Sequence, residues 1–136
     1  MSALIGASQR GVDVQVMVPE ISDNIVVDWI TRGMCLELLR GGVRMLLYCG
    51  TMLHSKTMTV DGAWSTVGSA NLDGRSLTAN YEINATIIDE AFARQMEAMY
   101  LNDRSQSREI FAETWASRNM LQQFGEWSLR PLRGIF

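Results

Sequence analysis

The sequence predicts a single α/β domain over residues 1–136, built as a mixed β-sheet flanked by helices on both faces. Three observations carry this. Segments with apolar residues at every second position alternate with segments whose apolar residues recur every three or four. An Asp-Gly step between two strand-like runs makes one strand pair antiparallel, so the sheet is mixed. The length of 136 residues, with 47% hydrophobic and 20% charged side chains, suits one core and excludes a disordered tail.

Residues 2–9 have weak helical character and stop at Arg10-Gly11. Val12, Val14, Val16 and Val18 alternate as a first strand, which Pro19 ends. Ser22, Asp23 and Asn24 form a capping cluster ahead of Ile25, Val26, Trp29, Ile30, Leu36 and Leu39, one face of a helix stopped by Gly41-Gly42. Residues 43–49 form the second strand. Residues 54–61 form the third, Lys56, Met58 and Val60 alternating with Thr57 and Thr59. Asp61-Gly62 turns the chain into a fourth strand over 63–68, residues 69–80 are a small-polar loop, and 81–88 form a fifth strand. Asp89 caps a helix whose Phe92, Met96, Met99 and Tyr100 make a core stripe. From about residue 107 to 136 the expectation is a further helix through Trp115 and then a looser tail. A helix too short to stand alone, directly before a strong strand, points to a missing first strand and a truncated chain.

Composition narrows the function. Two cysteines, Cys35 and Cys49, give neither a disulfide framework nor a structural zinc site, and both are expected as buried thiols. No apolar run approaches the ~18 residues of a membrane span, and the start is too short for a signal peptide. A formal charge of −3 and the absence of lysine clusters argue against nucleic acid as a partner, so any anion site must be built locally.

The only lysine, Lys56, lies two positions after the only histidine, His54. On a strand the two share a face and can meet one anionic group. Asp61 has the opposite parity. Downstream, the small residues of Gly68-Ser69-Ala70-Asn71 permit close backbone approach, while Ser69 and Asn71 supply a hydroxyl and an amide. Glu82 opens the next strand, where a carboxylate can orient the imidazole. These groups suit attack at phosphorus without a metal or other cofactor. Taken singly, each has a plainer reading as a surface pair, turn former or solvated strand end. The spacing of the ensemble favours chemistry.

That spacing, His54-x-Lys56-x4-Asp61-x6-Gly68-Ser69-x-Asn71, resembles the motif of the phospholipase D superfamily without a gap. The run Gly68–Ser76 with Asn80-Tyr-Glu-Ile-Asn84 is most similar to the carboxyl-terminal half of bacterial cardiolipin synthases. Arg10–Val14, Ser22–Asn24, Leu38–Val43 and Ser107–Ile110 extend the likeness over roughly residues 4 to 133. The resemblance implies one phospholipase D-like half-domain. It implies His54 as nucleophile or general acid, Lys56, Ser69 and Asn71 on the phosphoryl oxygens, Glu82 orienting His54, and Asp61 as a supporting member of the catalytic set. It further implies transfer between two phosphatidylglycerol molecules to give cardiolipin and glycerol through a phosphohistidine. The setting implied is the bacterial cytoplasmic membrane, reached at its surface or through segments outside this chain. Such enzymes carry two motifs and this sequence has one, so a second half is expected, either from the same polypeptide or from a homodimer mate. The alternatives are a phosphodiesterase or nuclease of the same chemistry, and an inactive fragment. The tail Trp127–Phe136, with arginines among apolar residues, is expected either at a bilayer surface or docked on its own domain.

Overall fold

A computed structural model describes residues 1–21, 25–71 and 81–117, residues 25–31 by their backbone alone. The capping cluster Ser22–Asn24, residues 72–80 of the small-polar loop and the tail beyond Ser117 lie outside the described residues. In chain order the elements are α1 (Ser2–Gln9), β1 (Gln15–Pro19), α2 (Ile25–Arg40), β2 (Arg44–Tyr48), β3 (Lys56–Val60), β4 (Trp64–Gly68) and β5 (Asn84–Ile88). The long helix Glu90–Ser105, here α3, the strand β6 (Ser107–Ile110) and the short helix Ala112–Ala116, here α4, complete the described set.

The strands divide into two three-stranded sheets, ordered β1-β2-β6 and β3-β4-β5. The first is mixed: β1 and β2 run parallel with Val16 opposite Met45, and β6 returns antiparallel with Ile110 opposite Met45. The second is an antiparallel meander. Strand alternation sends Val43, Met45, Leu47 and Ile110 to one face of the first sheet, where they form a buried cluster with Cys35 and Leu38 of α2 and Trp115 of α4. Met1, Leu4 and Ile5 of α1 pack on its margin. Each fully buried aliphatic side chain there contributes about 1.5–3 kcal/mol.

The opposite face carries Gln15, Met17, Leu46, Ser107 and Glu109, and α3 lies across it, with Tyr100 donating its hydroxyl to Gln15 at 3.1 Å. The same helix packs on β3 and β4 of the second sheet, over the fully buried Ser65. Its first turn is closed as the sequence indicates, Asp89 Oδ1 accepting from the Phe92 amide at 2.7 Å. The buried stripe runs through Ala93, whereas Met99 is exposed. The other face of the second sheet displays Met58, Val60 and Ile88 to the surface among the described residues.

Two expectations need correction. Residues 107–110 are a strand rather than part of a helix. Ile110 and Arg108 face one side and Glu109 and Ser107 the other, and β6 completes the open edge of β2, secured by Arg44 donating to both Glu109 carboxylate oxygens at 2.8 and 2.9 Å. Cys49 is exposed, because it follows the end of β2, whereas Cys35 is buried in the core.

Candidate active site

The second sheet brings three chain segments to one edge. Lys56 opens β3 opposite Gly68, the last residue of β4, and Gly68 in turn faces Asn84, the first residue of β5. His54, Ser69 to Asn71 and Glu82 therefore extend from the same edge. His54 itself lies in an irregular stretch rather than in the third strand, so strand parity does not place it. The β4–β5 pairing runs one residue further, the Ser69 amide donating to the Ile83 carbonyl at 3.0 Å. What joins His54 and Lys56 is a different contact, Lys56 Nζ donating to the His54 carbonyl at 2.6 Å. The His54 side chain is exposed and Lys56 half-buried.

Ser69 is held from two directions. Its hydroxyl donates to Glu82 Oε2 at 2.5 Å and accepts from the Ile83 amide at 3.0 Å. The next amide, Ala70 N, donates to Asn84 Oδ1 at 3.3 Å. Gly68 makes this close approach possible: a Cβ there would stand 1.8 Å from Asn84 Oδ1 and 2.4 Å from the Ile83 carbonyl oxygen. Asn84 is thus a site-building residue to which the sequence reading gave no role, although it ends the Asn80–Asn84 run. Asn71 is exposed at the last described position of the loop.

Asp61 is not brought to this edge. It sits in the β3–β4 turn with φ 49°, followed by Gly62 at φ 61°, both left-handed as a tight hairpin requires. Five residue steps along β3 separate it from Lys56, about 17 Å along the chain direction. Its placement is that of a turn residue.

At the carboxyl ends of β1 and β2 a second polar group collects. Arg108 Nη2 donates to Glu20 Oε1 at 2.6 Å, and Arg32 Nη2 donates to the Glu20 carbonyl at 3.3 Å. Arg108, and after it a hydrogen bond from Cys49, hold the Glu20 carboxyl below the usual carboxylate range. Glu109 is likewise lowered, by Arg44.

The family described as cardiolipin synthase, PLD-like domain, matches residues 1–104. The chain belongs to this phospholipase D-like family. Among its relatives, cardiolipin synthase 2 of Staphylococcus epidermidis is 42% identical over 120 residues, which cover 88% of this chain and 25% of that protein. Cardiolipin synthase A of Escherichia coli K12 is 39% identical over 126 residues, covering 93% and 26%. The chain thus spans about a quarter of the length of these synthases. The crystal structure of a phospholipase D family member, Nuc from Salmonella typhimurium, superimposes with a TM-score of 0.64 at 22% identity, over 81% of this chain and 72% of that one. It shares the phospholipase D-like half-domain fold. Among the described residues no helix is long and apolar enough to cross a membrane.

Proposed function

We propose that this phospholipase D-like domain supplies one half of a phosphatidyl-transfer site that joins two phosphatidylglycerol molecules into cardiolipin and releases glycerol. The observation that carries the reading is the gathering of His54, Lys56, Ser69 and Glu82 at one sheet edge, with Lys56 Nζ on the His54 backbone carbonyl and Ser69 tied to Glu82. The 42% identity to a cardiolipin synthase supports the choice of substrate. A neutral imidazole nitrogen of His54, or of its counterpart in the second half, attacks phosphorus. The bond from phosphorus to the glycerol headgroup breaks, and the other imidazolium gives its proton to the departing oxygen. A hydroxyl of a second phosphatidylglycerol then attacks the phosphohistidine, returns a proton to that same histidine, and frees the first.

Lys56 and Asn71 hold the phosphoryl oxygens as charge builds on them, Ser69 adds a hydrogen bond, and Glu82 orients the imidazole through the same edge. The second half comes from the remainder of a longer polypeptide or from a second copy, and the enzyme works at the bacterial cytoplasmic membrane. The test is cardiolipin formation from phosphatidylglycerol vesicles by the complete polypeptide carrying this chain. His54→Ala and Lys56→Ala should each lower turnover by at least about a thousandfold while leaving the circular dichroism spectrum unchanged. Retention of a tenth of the activity in either variant refutes the assignment. Phosphatidic acid as the sole product would make the enzyme a hydrolase.

A further inference from the structure

Between α2, α4 and the carboxyl end of β2 lies a cavity of about 230 Å³. Its inner wall is apolar, made by Leu47, Ile110 and the Trp115 ring, and its mouth carries Arg32, Arg108 and Glu20. Glu109 also borders it, but that carboxylate is bound by Arg44 through two hydrogen bonds. The mouth therefore has two guanidinium groups against one carboxylate. Glu20 meets only one of them by its side chain: its carboxylate takes Arg108, while Arg32 reaches only its backbone carbonyl, at the long distance of 3.3 Å. Each guanidinium has five N–H donors in a fixed fork, and among the described residues the bonds to Glu20 take one donor of each, which leaves donors for an anion.

Size and position narrow the ligand. The cavity holds about eight water volumes at roughly 30 Å³ each, enough for a phosphate ester with a three-carbon polyol. The backbone ties the mouth to the end of β2: Glu20 N donates to the Tyr48 carbonyl and Cys49 N to the Gln106 carbonyl, and residues 49–55 lead from there to Lys56.

We propose that this cavity is a second anion subsite, in which Arg32 and Arg108 bind the phosphate of a glycerol phosphate ester and Glu20 is the internal carboxylate that the ligand displaces from Arg108. That the ester is a lipid headgroup rests on the phosphatidyl-transfer reading; that an organic phosphate binds does not.

The test labels the complete polypeptide with 5-fluorotryptophan, identifies the Trp115 fluorine resonance by Trp115→Phe, and titrates with sn-glycerol 3-phosphate. The Trp115 line should shift saturably, Arg32→Gln should weaken binding about tenfold, and Glu20→Gln, which removes the competing carboxylate, should tighten it severalfold. Tightening cannot come from a damaged fold, so the Glu20 variant keeps the test decisive even if Arg32→Gln folds poorly. A Trp115 line that does not move, or a Glu20→Gln protein that binds no better than the parent, overturns the subsite. With phosphatidylglycerol vesicles, Arg32→Gln should raise KM about tenfold and leave kcat within twofold. Binding of glycerol phosphate with an unchanged KM assigns the cavity to free phosphate esters and overturns the lipid source alone. Binding in a protein that makes no cardiolipin keeps the subsite and removes the proposed function.

Discussion

Replacing Gly68 by alanine tests whether the β4–β5 contact sets the geometry of the reaction edge. A Cβ at this position would lie 2.4 Å from the Ile83 carbonyl oxygen, where ordinary contact begins at 3.4 Å. The backbone must therefore retreat by about 1 Å, the difference of those two distances. Asn84 Oδ1, at 1.8 Å, can rotate away, but it then leaves the Ala70 amide. The Ile83 carbonyl is part of β5's approach and has no such freedom. Its retreat stretches the Ser69 amide bond to Ile83 from 3.0 Å toward 4 Å, about the sum of that distance and the displacement, and carries Glu82 away from Ser69.

A misplacement of about 1 Å in a reacting constellation costs roughly a hundredfold in rate, whereas overpacking of this kind costs about 1–3 kcal/mol in stability. Gly68→Ala should therefore lower kcat for cardiolipin formation about a hundredfold while the protein still melts cooperatively, a few degrees lower. The assay pairs turnover on phosphatidylglycerol vesicles with a thermal melt. A variant that keeps more than a third of parental kcat would show that the close packing of Gly68 on β5 has no bearing on the chemistry.

Glu82→Gln preserves a hydrogen-bond partner for Ser69 and removes the negative charge, so turnover should fall about tenfold and the acid limb of the kcat/KM profile should move to lower pH. An unmoved limb would assign Glu82 to holding Ser69 alone. The Glu20 and Glu109 carboxyls lie below their ordinary value of 4.5 because of Arg108 and Arg44. Such groups stabilise the fold fully above the unfolded-state pKa and lose that contribution as pH falls through the lower folded value. The urea midpoint should therefore drop on acidification below about pH 4.5, and Glu109→Gln should flatten that dependence. An equal slope in the variant would mean the Arg44 pair contributes nothing.

Much of the fold was legible because its signals are local. Asp61-Gly62 and Asp89 act within three or four residues of themselves, and the turn and the cap both formed where they were expected. The strand Ser107–Ile110 was not legible. Four residues carry little periodicity of their own, and their pairing depends on an edge of β2 some sixty residues earlier. His54 shows the same limit at the site: its two-residue spacing from Lys56 reads as strand alternation, yet β3 begins only at Lys56. The Arg108–Glu20 pair spans 88 residues and leaves no mark on the sequence pattern.

The helix Glu90–Ser105 touches strands of both sheets, and no ladder of hydrogen bonds joins those sheets among the described residues. It is the one long beam on which two independent platforms rest. Loosening it would let the glycerol phosphate cavity and the histidine edge drift apart without breaking either. Amide exchange that slowed or quickened together in Met45 and Thr66 on altering Ala93 would reveal that mechanical linkage.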